Sequence, residues 1–342
     1  MSAAPSDSPR AAGPASRAAA GVDPSLPAAI AATGLGRAYG DVVALRSLDL
    51  TVAAGSLVGI IGPNGAGKTT AMLILATLLR PSHGNARLFG LDLARDRMAI
   101  RRRLGLVFQE ASVDGLLTVR ENLEFAAGLA GLRGRLATDA VNGAIARTGL
   151  ESHAARPART LSGGWRRLTD IARATIHHPD LLILDEPTVG LDPEHRDRMW
   201  SLLEAERRQG GTTILFSTHY LAEAERCDDV LMLARGDVVA HGTPAALMAD
   251  VGTTVMVVEG TDAALAVRAV DRDAGDADVL PTERGYRVGI RGDADLAAIV
   301  RQAPRLTRLD LRPVSLEDVY FARTQTAAMG DATDRKGPVR RS

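Results

Sequence analysis

Between residues 33 and 245 two textures alternate along the chain. Short apolar runs, LVGII at 57–61, LLILD at 181–185 and TTILFST at 212–218, fit strands buried on both faces of a sheet. VVALRSLDLTV at 42–52 alternates apolar and polar positions and predicts a further strand. TTAMLILATLLR at 69–80 is apolar nearly all round, which predicts a buried helix, ended by Arg80-Pro81 and Gly84. VRENLEFAAGLAGL at 119–132 and DAVNGAIARTGL at 139–150 carry helical patterns. Strands alternating with helices predict an α/β domain with a largely parallel sheet, placed at residues 30–245.

Past residue 245 the pattern changes. TTVMVVEG, RGYRVGI and LTRLDLR read as strands, DAALAVRAV and DADLAAIVRQA as helices. SLEDVYFART then predicts a helix opened by Ser315, with Asp318 three residues on as an N-capping partner. A weaker strand near 277–280 completes the order β-α-β-β-α-β, a small α+β domain of ferredoxin-like type at residues 246–326. The Ala/Pro/Ser/Gly-rich segment 1–29 and the polar, charged tail 327–342 read as disordered.

Composition narrows the class. The 342 residues suffice for one large domain and a smaller one, each with a core. Net charge is zero, so no nucleic-acid partner is expected. The single Cys227 excludes an internal disulfide and suits a reducing compartment. No apolar run approaches the roughly 20 residues that span a bilayer. The N-terminus lacks the apolar block of a secretory signal, although its Arg-bearing, acid-poor first twenty residues are also compatible with a targeting peptide.

Lysine usage changes the picture most. Of 41 basic residues only Lys68 and Lys336 are lysines, and Lys68 falls in GPNGAGKTT at 62–70. This is a phosphate-binding loop between an apolar strand and a helix. Gly62, Gly65 and Gly67 let the backbone curl so that N–H groups point inward, with Pro63, Asn64, Ala66 and Thr70 completing the cradle. The helix adds its free N–H groups and dipole. Thr69 offers a hydroxyl to Mg²⁺, and Lys68 reaches the β- and γ-phosphates as a compact point charge. A planar guanidinium does not substitute there, which accounts for a lysine in a chain that otherwise uses Arg.

Further motifs follow in a fixed order: FQE at 108–110, LSGGWRR at 161–167, LLILDEP at 181–187, VGLD at 189–192 and STHY at 217–220. Together with the phosphate loop they resemble the nucleotide-binding subunits of ABC transporters, over roughly residues 30 to 245. The resemblance implies a P-loop NTPase of ABC type that binds ATP with Mg²⁺. It implies that Asp185 and Gln109 join Thr69 at the metal, and that Glu186 serves as base or orienting group for water. His219 would contact the γ-phosphate, and Tyr39, 23 residues before Gly62, would stack on adenine. Ser162, Gly163 and Gly164 open a helix and form a second anion site, which in the family meets the ATP held by the other subunit. Asp192 matches the loop that crosses to the partner's site. Two positions depart from the pattern: Trp165 replaces the usual Gln, and Leu168 falls where Arg is common. The anion-binding elements stay intact, while local contacts and turnover are open to change.

One phosphate loop and one signature per chain imply a two-fold dimer with two ATP molecules at its interface. A chain that cannot cross a bilayer implies a separate multi-span permease, with this subunit on the cytoplasmic face of the membrane. The run LTVRENLEFAAGLAGL, the phrase TDIARATIHHPDLLILDEPTVGLDPEHR and the closing SLEDVYFART resemble the daunorubicin/doxorubicin-resistance branch of drug exporters. Three alternatives stay open: a soluble ABC-type ATPase, a polysaccharide or lipid exporter subunit with a cargo-binding C-terminal domain, and a non-hydrolysing sensor. The paucity of aromatic residues after 245, only Tyr286, Tyr320 and Phe321, weighs against sugar binding.

Overall fold

The computed structural model describes residues 28–110, 112–274, 278–291 and 296–334. The expected disordered ends therefore lie outside the described residues over 1–27 and 335–342. Fourteen strands are described. In the larger domain they are β1 (Ala28–Tyr39), β2 (Val42–Ala53), β3 (Leu57–Ile61), β4 (His83–Leu88), β5 (Leu91–Asp92), β6 (Leu104–Val107), β7 (Leu181–Leu184), β8 (Thr213–Thr218), β9 (Asp229–Ala234) and β10 (Asp237–Gly242). The smaller domain adds β11 (Thr254–Gly260), β12 (Asp278–Pro281), β13 (Gly285–Ile290) and β14 (Leu306–Pro313).

The larger domain is one ten-stranded sheet in the order β5-β4-β1-β2-β10-β9-β3-β8-β7-β6. β9, β3, β8, β7 and β6 run parallel, while β5, β4, β1 and β2 pair antiparallel. β3 lies between β8 and β9 and every residue in it is buried, as its unbroken apolar run requires. The parallel run matters for function. β3, β8, β7 and β6 are consecutive neighbours, so their C-terminal ends share one rim of the sheet. Ile61 sits opposite Thr218, Phe216 opposite Leu184, and Leu184 opposite Val107. Four motifs far apart in sequence thus leave the sheet side by side.

One departure from the sequence reading is the first strand. The strand is described from Ala28, two residues inside the segment 1–29 read as disordered, and AAIAATGLGRAY pairs with β2 on one side and β4 on the other. Alanine is a poor strand former, so its pattern was silent; tertiary pairing decides it.

Helices Val119–Leu129, Arg135–Thr148 and Gly163–Thr175 form a separate layer with its own core, including Leu123, Val141, Ile145, Leu161 and Ile176. Thr118 caps the first in a full capping box with Glu121.

The C-terminal sheet has the order β12-β13-β11-β14, antiparallel throughout. Helices Ala263–Ala274 and Leu296–Gln302 complete β-α-β-β-α-β, the ferredoxin-like arrangement the pattern predicted. β11 shows why it has two partners. Met256 and Val258 face a core with Ala266, Val270 and Ile299, while Val255 and Val257 face Leu316 and Val319 of the last helix. That helix, Leu316–Asp334, extends past residue 326 into the segment read as a polar tail. It packs against helix Pro244–Val251 and joins the core of the larger domain. Among the described residues no helix is long and apolar enough to cross a membrane.

Candidate active site

The phosphate loop links β3 to the helix Lys68–Leu75, whose N-cap is Gly67 at φ 106°. A Cβ on Gly67 would lie 2.6 Å from the Ala44 carbonyl oxygen, and one on Gly62 only 2.3 Å from that of Leu233. The loop closes against its neighbours only with glycine at both places. Ala66 is buried beneath it, and its carbonyl accepts from the Gly236 amide at 3.0 Å. Pro63, Asn64 and Gly65 are exposed, and Thr70 half-buried.

Lys68 is buried and folds across its own loop. Its Nζ donates to the carbonyls of Gly62 (2.8 Å) and Pro63 (3.2 Å) and lies 3.2 Å from Glu186 Oε1. The next residue, Thr69, donates its hydroxyl to Asp185 Oδ2 at 2.9 Å. A hydroxyl beside a carboxylate is the hard-oxygen donor pair that suits Mg²⁺. The glycine-closed cradle and the buried ammonium likewise fit a nucleotide's phosphates.

Asp185 and Glu186 follow β7, and both are buried. Glu186 takes φ 46°, left-handed for a residue with a Cβ, at a cost of about 1–2 kcal/mol. Its neighbours hold it there. The Glu186 amide donates to Ser217 Oγ at 2.9 Å, and the Glu186 carbonyl accepts from Arg167 Nη2 at 3.4 Å. The turn aims the side chain between two nitrogen groups: Oε1 at the Lys68 ammonium and Oε2 at His219 Nδ1, 3.3 Å away.

Two residues with no role in the sequence reading organise this rim. Ser217 donates to Asp185 Oδ1 at 2.5 Å while accepting from Glu186, so one hydroxyl fixes both acids. Arg167 is buried in the signature helix and bonds the carbonyls of Phe108, Gln109 (2.8 Å) and Glu186. Gln109 itself is exposed just beyond β6. Burial pushes the Arg167 guanidinium below its ordinary range. Ser217 stands two residues before His219, and Arg167 is the second Arg of LSGGWRR; those were their only local signals.

Tyr39 ends β1 opposite Val42, about half exposed, with the Arg37 guanidinium 4.7 Å over its ring. Ala44, on the strand that faces it and two residues beyond Val42, is the residue whose carbonyl meets Gly67. Pro63 and Asn64 also border a cavity of about 340 Å³, shared with His219 and with Tyr320 of the C-terminal helix.

Ser162, Gly163, Gly164 and Asp192 form a second grouping. Ser162 caps its helix by accepting from the Trp165 amide at 3.4 Å. Asp192 caps helix Pro193–Gly210, accepting from the His195 amide (3.0 Å) and from His195 Nδ1 (2.7 Å). These bonds hold the Asp192 carboxyl below its ordinary range. Cys227 is buried, and burial pushes its thiol far up, leaving it inert.

Comparison with known proteins places this geometry. A family model described as ABC transporter matches residues 45–189. The chain is 38% identical over 315 residues to the daunorubicin/doxorubicin resistance ATP-binding protein DrrA of Streptomyces peucetius, covering 90% of this chain and 95% of that one. It is 35% identical to a Nod factor export ATP-binding protein I of Burkholderia orbicola, covering 84% and 93%. Among solved structures, a Clostridium perfringens protein described as part of the ABC transporter complex cbiONQ superposes with a TM-score of 0.61 at 29% identity, over 65% of this chain and 91% of that one. An ATP-binding cassette captured as a dimer in a post-hydrolysis state with ADP and Pi superposes at 0.58 and 26% identity, over 62% and 97%.

Proposed function

Because the chain belongs to the ABC transporter ATP-binding family, whose members bind and hydrolyse ATP, we propose that it energises export of drugs or other hydrophobic metabolites through a separate multi-span permease. The observation that carries the catalytic part is the position of one carboxylate. Glu186 is held between Lys68 of the phosphate loop and His219 on the same rim.

In this reading ATP lies with its β- and γ-phosphates in the Gly62–Thr70 loop. Phosphate oxygens replace the Gly62, Pro63 and Glu186 oxygens around Lys68 Nζ. Thr69, Asp185 and Gln109 hold Mg²⁺, which when bound neutralises charge on the phosphates. Glu186, freed from Lys68, accepts a proton from the water that attacks the γ-phosphorus. His219 keeps the other carboxylate oxygen oriented. The bond to the β-phosphate breaks, and ADP and phosphate leave. Tyr39 supplies a face for adenine.

Ser162 and Asp192 serve a second copy of the chain. Two copies related by a two-fold axis would each present the signature to the other's ATP. ATP then favours the closed pair and hydrolysis the open one, a shift of population that a membrane partner converts into movement. The chain would sit on the cytoplasmic face of that membrane as a peripheral subunit. The alignment with the drug-resistance relative includes the C-terminal domain, which supports that branch over a soluble ATPase.

The test is isolation of the Glu186→Gln variant from membranes of its own host with Mg-ATP present. A stoichiometric polytopic protein is the expected companion. Recovery with ribosomes or DNA-repair proteins instead, and no membrane protein, overturns the exporter reading.

A further inference from the structure

Trp165 occupies a position where the resemblance leads one to expect Gln, and the surrounding residues are built for it. Its ring stacks on His153 with centroids 4.3 Å apart and meets the edge of His195 at 5.0 Å. The Arg198 guanidinium lies 5.4 Å from it. His195 in turn rests on the signature backbone: a Cβ on Gly164 would be 2.3 Å from His195 Cγ. The same imidazole bonds Asp192 through Nδ1, and its buried Nε2 has no hydrogen-bond partner among the described residues. Its polar hold is therefore on Asp192 alone.

The placement is symmetric. Trp165 is the third residue after the Ser162 cap, and His195 the third after the Asp192 cap. One aromatic contact thus ties together the starts of two helices, each carrying one of the groups assigned to the partner's ATP. We propose that Trp165 and His195 are positioning residues, a clamp that makes Ser162 and Asp192 one rigid unit of the dimer interface. The proposal rests on the reading of those two residues as groups offered to a second copy. Within it, displacement of Asp192 on closure carries the Ser162 end of the signature helix with it.

The test uses the full chain in the Glu186→Gln background, with Mg-ATP-driven dimerisation followed by sedimentation and ATP affinity measured on the monomer. His195→Ala and Trp165→Gln are each expected to weaken dimerisation by about tenfold, the scale of a coupling between sites. ATP affinity of the monomer stays unchanged, which also reports an intact fold. The double variant is no weaker than the worse single one, since either change opens the clamp. Trp165→Phe, which keeps a ring for both histidines, restores most of the loss. Variants that dimerise like the parent, or losses that add, overturn the clamp. A parent that stays monomeric in Mg-ATP overturns the shared-site reading beneath it.

Discussion

Lys68 Nζ and Glu186 Oε1 lie 3.2 Å apart, both side chains less than a tenth exposed. The cation assigned to phosphate and the acid assigned to water therefore share a partner, and phosphate in the loop competes with Glu186 for one ammonium. Glu186→Gln removes the proton acceptor but keeps the shape. Hydrolysis should fall by about 10²–10⁴-fold, the usual worth of a general base. ATP affinity should hold or rise, because Lys68 is released from a carboxylate. Phosphate release and nucleotide titration read the two effects separately. Near-normal turnover would remove Glu186 from the mechanism.

Lys68→Arg keeps the charge and changes only the shape. The ammonium is buried and makes two short bonds to carbonyls of its own loop, at 2.8 and 3.2 Å. A guanidinium fork has a different bulk and donor geometry. Nucleotide binding or turnover should collapse although net charge is constant. An arginine variant that binds and hydrolyses normally would show that charge alone suffices there.

The parts of this molecule readable in the sequence are those set by local chemistry. The phosphate loop needs glycines at fixed places, and buried strands need unbroken apolar runs. The β-α-β-β-α-β order of the C-terminal domain followed from period-2 and helical patterns, including the weak strand now seen at Asp278–Pro281. What was illegible depends on partners distant in sequence. Arg167 acquires its role only where residues 108, 109 and 186 converge. Gly164 reads as a helix-opening glycine, yet its other constraint is the ring of His195. The first strand is defined by pairing on both sides and not by its Ala-rich composition.

Ser217 supplies a prediction at a residue that the STHY motif contains but to which the sequence assigns no role. Its hydroxyl donates to Asp185 and accepts from the Glu186 amide, where the backbone sits at φ 46°. Ser217→Ala leaves that buried amide unpaired, at a cost of about 1–3 kcal/mol. It also frees the turn that aims Glu186, and misplacement of a reacting group by about 1 Å is worth up to roughly 100-fold in rate. Denaturant unfolding reads the first effect and steady-state hydrolysis the second. Ser217→Thr retains the hydroxyl and should recover much of both. If Ser217→Ala loses stability with full activity, Ser217 only supports the fold.

Asp318 governs how the C-terminal helix is fastened. Its carboxylate is buried and accepts from Arg312 at 2.7 and 2.8 Å, from Arg287 at 2.9 Å and from the Ser315 amide and hydroxyl. Burial pushes the carboxyl up, but the bonds from Arg312 and Ser315 outweigh it and hold it below its ordinary range. A depressed native value means that the stabilisation is fully present above the unfolded carboxyl's pKa of about 3.9. It is lost as pH falls through the native value. Asp318→Asn should cost stability at neutral pH, toward the lower end of the roughly 3–5 kcal/mol for breaking a buried pair, because Arg312 keeps some contact with solvent. The same helix carries Tyr320 to the cavity beside His219, so loosening it should also change how nucleotide protects the fold. Unfolding at pH 7 and pH 3, with and without ATP, tests both points. The gap between wild type and Asp318→Asn should be wider at pH 7 than at pH 3, since the loss sets in as pH falls below the unfolded carboxyl's value. An equal gap at both values would mean that the carboxylate's charge is not what fastens the helix.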